Sequence, residues 1–372
     1  MNVQLKDAPT GTQVRGNPGK LKVIDGDVHP IPRSLDDLRP FLSKEWGEHL
    51  TNYGLRYRLP YATAPAYPKA TPALARRDAW PPEGGPPGSS LRFMQEQFLD
   101  PCNIEYGIMH CLYPIPMMER NLSFANALSS AVNDWQYHEW SQKDRRMKAT
   151  ISLSGEDAAG AIKEIERCAK VSRDFVQASM PGRITEPHGR QRYWPIYEVL
   201  ERLGLPLAIH VGGEGGVPGG AGWPSYYQET HHNTSFMNRE LITSMIFEGV
   251  FDRFPDLKLV LVESGFAWIP ALSWRLDRQW LRMRDEVPHV KHPPSHYIRK
   301  NIYLTTQPMD EPERPDDLRD IIEWIGWDRL MMATDYPHWD FDDPGLAFKV
   351  RLTEAEKRQL FSENARAVYR LD

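Results

Sequence analysis

Eight short runs of β-branched and apolar residues recur along the chain, and helical patterns fill most of the intervals between them. We predict one strand for each run, at residues 21–28, 104–111, 147–153, 175–180, 205–211, 257–263, 301–306 and 330–334. Several runs, such as LKLVLVE and LPLAIHV, are apolar almost throughout, which is typical of strands covered on both faces. Strands that alternate with helices form parallel sheets. The pattern therefore predicts an α/β fold, a (β/α)8 TIM barrel.

The chain is longer than such a barrel requires. A (β/α)8 barrel takes about 250 residues, whereas this chain has 372, and no change of composition marks a boundary between two domains. We therefore predict a single barrel domain over residues 1–372, with a polar tail at 1–20 and a C-terminal helix within 353–372. Thr353 and Glu356 have the spacing of a capping box that opens this helix.

The largest insertion, roughly residues 30–90, follows the first strand. It contains the proline- and glycine-rich stretches PYATAPAYPKATP and WPPEGGPPGSS, and its Trp and Tyr residues are Trp46, Tyr53, Tyr57, Tyr61, Tyr67 and Trp80. Proline accounts for 32 of the 372 residues, well above the usual share of about 5%. Because barrel enzymes carry their active sites at the C-terminal ends of the strands, we predict that the insertion covers that face as a lid. An oligomer interface or plain packing is the alternative.

Charge and cysteine content limit the possible partners and sites. Lys and Arg number 45 against 50 Asp and Glu, without a basic block, so we predict no nucleic-acid partner. No apolar stretch reaches about 18 residues and the N-terminus lacks an apolar signal core, so we expect a cytoplasmic protein with no membrane partner. The three cysteines, Cys102, Cys111 and Cys168, show no CxxC spacing. They argue against a thiolate metal site, so His and carboxylate side chains must hold any metal.

Five ionisable residues fall at the C-terminal ends of predicted strands. Asp27 and His29 end the first strand, His210 lies at the end of the fifth, Glu263 ends the sixth, and Asp335 follows the eighth. A closed barrel would bring these side chains together at the end where barrel enzymes gather their catalytic groups. Such a concentration of charge needs neutralisation, which a divalent cation provides most directly. The five residues therefore predict a metal site.

Each of these residues also has a structural alternative. A histidine after a strand is commonly a hydrogen-bonded core residue, and an aspartate there often caps the next helix. Glu263 precedes a Ser-Gly pair and could be a turn residue, while Asp335 precedes Tyr-Pro and could open an Asx turn. Only their joint position at four strand ends favours a metal.

Five segments carry a family resemblance that spans nearly the whole chain. They are VIDGDVHP, LAIHVGG, FPDLKLVLVESGFAWIP, LMMATDYPHWD and LTEAEKRQLFSENARAVYRL. Together they resemble the amidohydrolase superfamily, specifically the amidohydrolase-related branch of aminocarboxymuconate-semialdehyde decarboxylase and metal-dependent hydrolases of TIM-barrel fold. The resemblance implies that Asp27, His29 and His210 are metal ligands. It also implies that Asp335 both contacts the metal and moves protons.

Two positions depart from the family pattern. Decarboxylases of this branch usually place a histidine at the end of the sixth strand, where this chain has Glu263. Other amidohydrolases bridge two zinc ions with a carbamylated lysine on the fourth strand, where this chain offers Gln177 and no lysine. We therefore interpret Glu263 as a ligand, a metal bridge or a second acid/base group. For such a carboxylate-rich set we expect one or two divalent ions of Zn, Fe or Mn.

Other residues near the predicted site are secondary candidates. His338, three residues after Asp335, is a candidate for substrate contact, and His231 and His232 are expected in a loop between the fifth and sixth strands. The glycine-rich run GGEGGVPGGAG after His210 lacks the context of a phosphate loop, so we interpret it as a mobile loop beside the metal.

Three functions are compatible with these residues. The leading hypothesis is metal-dependent hydrolysis of an amide, lactone, ester or thioacid, in which Asp335 accepts a proton from metal-activated water and returns it to the leaving group. The alternative is non-oxidative decarboxylation of an aromatic or unsaturated acid, which the missing sixth-strand histidine disfavours. The third is a barrel that binds metal without catalysis. We expect a small-molecule substrate and a possible homodimer.

Overall fold

Eight parallel strands form one sheet in the computed structural model, which describes residues 21–56, 72–211, 222 and 225–372. The strands are β1 Val23–Val28, β2 Ile104–Met109, β3 Met147–Ser152, β4 Phe175–Pro181, β5 Leu207–His210, β6 Leu259–Val262, β7 Ile302–Thr305 and β8 Leu330–Met331. Each strand pairs with the next in chain order. Gly26 N donates to Met332 O over 2.8 Å and His29 N to Tyr336 O over 2.9 Å, so β1 also meets the segment after β8. The predicted (β/α)8 TIM barrel is confirmed.

Helices alternate with the strands around the outside of the sheet. They are α1 Lys44–Tyr53, α2 Leu91–Met94, α3 Leu122–Trp135, α4 Ala158–Val171, α5 Trp194–Leu203, α6 Tyr227–Phe247, α7 Val250–Arg253, α8 Ile269–Met283, α9 Pro294–Asn301, α10 Pro315–Ile325, α11 Glu354–Arg358 and α12 Asn364–Tyr369. The predicted capping box opens α11, because Thr353 Oγ1 accepts from Glu356 N and Glu356 Oε2 accepts from Thr353 N. Within the described residues, no helix has the length and apolar character needed to cross a membrane.

Alternation along the strands decides which side chains point into the barrel. Ala208 of β5 packs in an inner cluster that also contains residues of β1, β2, β4, β6 and α12. Leu207 and Ile209, its neighbours in sequence, pack instead in the larger cluster shared with the helices. Since side chains two apart share a face of a strand, His210 points inward like Ala208. Val368 and Tyr369 of α12 fill the opposite end of the interior.

Asp25 links β1 to the segment after β8 through hydrogen bonds. Its side chain is fully buried, and its Oδ2 accepts from Thr334 Oγ1 over 2.6 Å. Its Oδ1 accepts from the backbone N–H groups of Thr334 and Asp27, over 3.1 and 2.9 Å. The register of β1 against β2 shifts between Asp25 and Val28. This irregularity re-aims Asp27 relative to a regular strand, as bulges near active sites commonly do.

Asp25→Asn is expected to change how stability depends on pH. Burial raises the pKa of Asp25 from its ordinary value of 3.8 to about 7, against the lowering effect of its hydrogen bonds. The unfolded chain therefore loses this proton near pH 4 while the folded protein keeps it, so stability falls as pH rises from about 4 to about 7. In urea titrations, the variant should lack this component, which amounts to up to about 4 kcal/mol. Parallel pH profiles for the variant and the wild type would contradict the assignment, and the exposed Asp36→Asn controls for the lost charge.

The insertion after β1 contacts both sides of the junction at which β1 meets the segment after β8. Arg76 N donates to Pro337 O over 3.0 Å, and Trp339 N donates to Leu74 O over 2.8 Å, so residues 74–76 pair with the segment after β8. Ile31 N donates to Gly88 O over 3.1 Å on the β1 side. Residues 57–71, which include Tyr57, Tyr61, Tyr67 and most of the first proline-rich stretch, lie outside the described residues, as do the tail at 1–20 and most of the glycine-rich run after His210. The lid role and the single-domain organisation stay predictions.

Gly88→Ala is expected to destabilise the protein more than Gly84→Ala. Both glycines have positive φ, 80° and 83°, so both variants carry backbone strain. A Cβ at Gly88 would lie 2.2 Å from the carbonyl oxygen of His29, whereas one at Gly84 would meet nothing within 4 Å. We expect Gly88→Ala to lower the unfolding free energy by at least about 1–3 kcal/mol beyond the control. Equal losses in chemical denaturation would show that the insertion does not press on His29.

Candidate metal centre and active site

Asp27, His29 and His210 meet inside the mouth of the barrel. His29 Nε2 lies 3.1 Å from Asp27 Oδ1, and His210 Nε2 lies 3.3 Å from Asp27 Oδ2. One ligand atom from each of the three lies within 4.8 Å of the others, and all three side chains are buried. The expected convergence of β1 and β5 residues is therefore present.

Backbone carbonyls orient both imidazoles. The Nδ1–H of His29 donates to the carbonyl of His110 over 2.9 Å, and the Nδ1–H of His210 donates to the carbonyl of Val211. Each ring then presents the lone pair of Nε2 toward Asp27, the arrangement that metal-binding histidines use. Both carboxylate oxygens of Asp27 and Nε2 of His210 lack a hydrogen-bond partner within the described part of the chain. Buried acceptors without donors are costly, so this donor set fits a divalent cation.

The carboxylate of Asp27 carries charge despite its burial. Burial favours its neutral form, but the adjacent His29 and His210 rings hold the pKa of Asp27 well below its usual range. Burial likewise opposes the charged form of His29, while Asp27 and Asp335 raise the pKa of His29 well above its usual range. The site therefore favours an ionised carboxylate next to positive charge, whether that charge is a proton or a cation.

Asp335 lies beside this group and is fully buried. Its Oδ1 is 2.7 Å from Nε2 of His29 and 2.6 Å from Nδ1 of His338, and its Oδ2 accepts from Gln307 Nε2 over 3.3 Å. The His338 ring stacks on the His29 ring with centroids 4.4 Å apart. Burial acts to raise the pKa of Asp335, but His338 and His29 outweigh it and hold that pKa below its usual value. His338 thus contacts the carboxylate expected to move protons.

Glu263 follows β6 directly and faces the same space. Its Oε2 lies 3.6 Å from Nε2 of His210. Burial, together with the negative charges of Asp335, Asp27 and Asp340, raises the pKa of Glu263 well above its usual range. Glu263 and Asp335 both have left-handed backbone conformations, with φ of 55° and 62°. Such conformations are uncommon for residues other than glycine and cluster at functional sites.

The structure adds site residues that the sequence alone did not single out. His110 follows β2, is buried, and has its ring centroid 5.2 Å from that of His210. Burial lowers the pKa of His110 to about 3, so it is neutral at pH 7, and its Nε2 accepts from Gln177 over 3.0 Å. Gln307 follows β7 by two residues and donates to both Asp335 and Asp340. In the sequence, His110 and Gln307 each follow a strand without another candidate site residue beside them. Only their position at a strand end indicates that they belong to the site.

The expected loop position of His231 and His232 is wrong. Both residues lie in the first turns of α6, whose polar opening sequence YQETHHNTS shows no apolar period that would predict a helix. His231 faces the site, with Nε2 3.0 Å from Asp340 Oδ2, and this hydrogen bond raises the pKa of His231. His232 is exposed.

A comparison with known protein families identifies the family to which this chain belongs. The sequence model of the amidohydrolase family matches residues 24–371, from β1 to the end of the C-terminal helix. The chain belongs to the amidohydrolase family. The match includes each of the five predicted ligand positions. Together with the curated relatives described next, it confirms the resemblance to the branch that contains aminocarboxymuconate-semialdehyde decarboxylase.

Curated relatives of this amidohydrolase are decarboxylases. Gamma-resorcylate decarboxylase of Polaromonas sp. strain JS666 is 26% identical over 296 residues, which cover 74% of this chain and 86% of that protein. The enzyme of the same name from Rhizobium sp. strain MTP-10005 is 25% identical over 264 residues, covering 66% and 76%. The 2-amino-3-carboxymuconate-6-semialdehyde decarboxylase of Dictyostelium discoideum is 25% identical over 222 residues, covering 56% of each chain.

Solved structures share the fold of this amidohydrolase. An amidohydrolase from Mycobacterium avium subsp. paratuberculosis K-10 superposes with a TM-score of 0.71 at 20% identity, over 94% of this chain and 99% of that one. Dihydroxybenzoic acid decarboxylase from Polaromonas sp. JS666, with bound manganese and the inhibitor 2-nitroresorcinol, gives a TM-score of 0.66 at 21% identity, over 95% and 98%. At these identities the likeness establishes the barrel fold alone.

Proposed function

We propose that this amidohydrolase is a metal-dependent carboxy-lyase that removes carbon dioxide, without oxidation, from an aromatic or unsaturated carboxylic acid. The observation that carries the proposal is that curated relatives matching up to 74% of the chain are decarboxylases of such acids. The sequence alone favoured hydrolysis, because Glu263 stands where related decarboxylases have a histidine. The relatives support the decarboxylation alternative better.

Asp27, His29 and His210 are the residues we propose as ligands of a divalent cation, with Asp335 and Glu263 beside them. A cation held by these residues would supply Lewis-acid charge that stabilises the negative charge of the substrate carboxylate. Relatives with bound manganese, including a 5-carboxyvanillate decarboxylase from Novosphingobium aromaticivorans, support a divalent metal. Mixed imidazole and carboxylate ligands suit Mn, Fe and Zn alike, and the manganese in these relatives favours manganese here.

Asp335 is proposed as the proton donor. Because its pKa lies below the usual value, Asp335 is ionised at rest and must first receive a proton. It then passes that proton to the substrate carbon that bears the carboxylate, the carbon–carbon bond breaks, and the electron pair of that bond returns to the conjugated system as carbon dioxide leaves. One proton is consumed for each carbon dioxide released. His338, whose Nδ1 lies 2.6 Å from Asp335 Oδ1, is positioned to return that proton. When Nε2 of His29 binds the cation, it no longer hydrogen-bonds to Asp335. His338 then remains as the histidine partner of Asp335.

The walls of the site divide into a polar and an apolar half. A cavity beside His210 is lined on the β2 to β5 side mostly by apolar side chains, among them Leu112, Ile115, Met117 and Leu153, with Ser152 and Ser179 as polar members. The ionisable side chains Glu263, Asp335 and Asp340 lie on the β6 to β8 side. A substrate with a carboxylate at the metal and an apolar ring directed toward β2–β5 matches this division.

The test is to incubate the manganese-loaded protein with phenolic and unsaturated carboxylic acids in ¹⁸O-labelled water. We expect release of carbon dioxide and a product one carboxyl group smaller, with no solvent oxygen in it. A matched panel of esters, lactones and amides is the control. Solvent oxygen in a cleaved product from that panel, without carbon dioxide release, would establish hydrolysis instead. Bound metal with no turnover on either panel would favour a barrel that binds metal without catalysis.

A further inference from the structure

Two serines interrupt the apolar lining of the cavity on the β2 to β5 side of the site. Ser152 ends β3, Ser179 lies in β4, and their Cα atoms are register partners in the parallel sheet. Two residues earlier in the same strands, Gln177 donates to Thr150 Oγ1 over 3.0 Å, and Gln177 also bonds to His110 inside the barrel. Since side chains two apart share a face of a strand, Ser152 and Ser179 point inward as well. The two hydroxyls therefore lie side by side on the cavity wall.

These two hydroxyls are available to a ligand. Both residues are half-buried, and among the hydrogen bonds of the described residues none involves either hydroxyl. The bonds that Ser152 makes to the side chains of Ser129 and Asn133 use its backbone carbonyl and N–H. A hydroxyl can both donate and accept a hydrogen bond, and leaving one buried without a partner costs about 1–3 kcal/mol. A ring that covers the serines must therefore supply a partner for them.

The rest of the cavity limits what that partner can be. Apart from His210 and the Cys111 thiol, the other lining side chains are apolar, and none of the described lining residues is Lys or Arg. A negative charge without a counter-charge is costly in such surroundings. The cavity volume is about 40 Å³, whereas a single water needs about 10–15 Å³. The space therefore suits one small, neutral group, such as a hydroxyl, and not a second carboxylate.

The position of the serines indicates which ring carbon bears this group. His210 ends β5, and its register partner in β4 is Pro181, two residues beyond Ser179. Neighbouring strands are about 4.8 Å apart, which is close to the width of a benzene ring. A ring whose carboxylate lies beside His210 and which extends toward β4 brings its meta and para carbons to Ser179. A group on the ortho carbon stays next to the carboxylate instead.

We propose that Ser152 and Ser179 form a subsite for a neutral hydroxyl group on the meta or para carbon of an aromatic monocarboxylic acid. The inference rests on the proposed function, because it takes the substrate carboxylate to be held beside the ligand residues Asp27, His29 and His210. It extends that function by naming two specificity-determining residues and the position of the group that they bind. The serines act in binding and take no part in proton transfer.

The experiment measures Kd by isothermal titration calorimetry for the manganese-loaded, full-length protein. The ligands are meta- and para-hydroxybenzoate and the two matching methylbenzoates, in which a methyl group of similar size replaces the hydroxyl. Chromatography of the recovered ligand checks that each acid is intact. We expect at least one hydroxy acid to bind wild type about tenfold more tightly than its methyl counterpart. In Ser179→Ala this preference should fall to within about threefold, a coupling that the double-mutant cycle of residue and ligand isolates.

Ser152→Ala should lower the same preference, and Ser123→Ala, which removes an exposed hydroxyl on α3 outside the cavity, should keep it. The methyl acid is the internal control, because a correctly folded variant binds it as wild type does. Equal wild-type affinities for the hydroxy and methyl acids would overturn the proposal. A preference that survives in the Ser152→Ala/Ser179→Ala double variant would overturn it as well.

Failure of the proposed function gives a different result. If the hydroxyl preference depends on the two serines but no acid releases carbon dioxide, the subsite stands and the decarboxylation does not. If carbon dioxide is released while the hydroxy and methyl acids bind equally, the decarboxylation stands and the subsite is refuted. The wild-type comparison does not depend on whether any variant folds.

Discussion

Asp335→Asn is expected to lower kcat by on the order of a thousandfold, with the fold intact. The asparagine side chain has nearly the same volume and keeps an acceptor for His338, but it has no carboxylic proton to give to the substrate carbon. The rate is measured as carbon dioxide released from the acid identified in the substrate panel. KM should change much less than kcat, because the proton is transferred in the chemical step and not on binding.

Two measurements separate lost chemistry from lost metal in this variant. Metal content by mass spectrometry should stay near the wild-type value, since Asp27, His29 and His210 are unchanged and the amide oxygen of the asparagine can still contact the metal. Asp342→Asn, a half-buried carboxylate seven residues further on, should retain wild-type turnover. A rate for Asp335→Asn within about tenfold of wild type would remove Asp335 as the proton donor, because positioned acids contribute at least about a hundredfold.

Removal of the metal is expected to abolish turnover and to destabilise the protein. After dialysis against a chelator, decarboxylation should fall below detection and return on addition of Mn²⁺. Because the buried oxygens of Asp27 and Nε2 of His210 have no hydrogen-bond partner in the described structure, the cation stabilises the folded state. The gain is about 2.7 kcal/mol at a metal concentration of one hundred times Kd, seen as a higher Tm.

Single substitutions test which residues bind the metal that the chelator removes. His210→Ala should behave like the chelated protein even with Mn²⁺ present, because it deletes one of three buried ligands. His292→Ala removes an exposed histidine outside the site and should leave turnover and Tm unchanged. Full activity of the chelated protein, or a normal metal content in His210→Ala, would contradict the ligand assignment.

Much of the architecture could be predicted from the sequence, because strands buried on both faces are apolar nearly throughout. Seven of the eight strands lie within the predicted runs, and β4 extends one residue past its run, to Pro181. The largest difference at one end of a strand is in β8, expected at 330–334 but observed at Leu330–Met331. Thr334 leaves the sheet because its hydroxyl and its backbone N–H bond to Asp25. The strand ends also located the candidate ligands that meet in the structure, since alternation directs the last residues of parallel strands into one mouth.

The rest of the site could not be predicted, because it depends on which loops meet after the barrel closes. Asp340 is one of several carboxylates in DFDD, and only the position of α6 brings His231 to it. Local hydrogen bonding decides where α4 begins, since the side chain of Asp157 accepts from Gly160 N. The choice between hydrolysis and decarboxylation was likewise not decided by the ligand residues, which serve both reactions.

The site lies where β1 meets the segment after β8. It can therefore form only after most of the chain has been synthesised. His29 and Asp335, which share a 2.7 Å contact, are 306 residues apart in the chain, and Asp25 and Thr334 are 309 apart. A nascent chain on the ribosome has its first strand long before it has the partner that completes the mouth. Any fragment that stops short of Asp335 would carry the first three ligand residues without the proton donor. If Asp335 is the proton donor as proposed, such fragments should release no carbon dioxide, and activity should require the first and last strands to be joined.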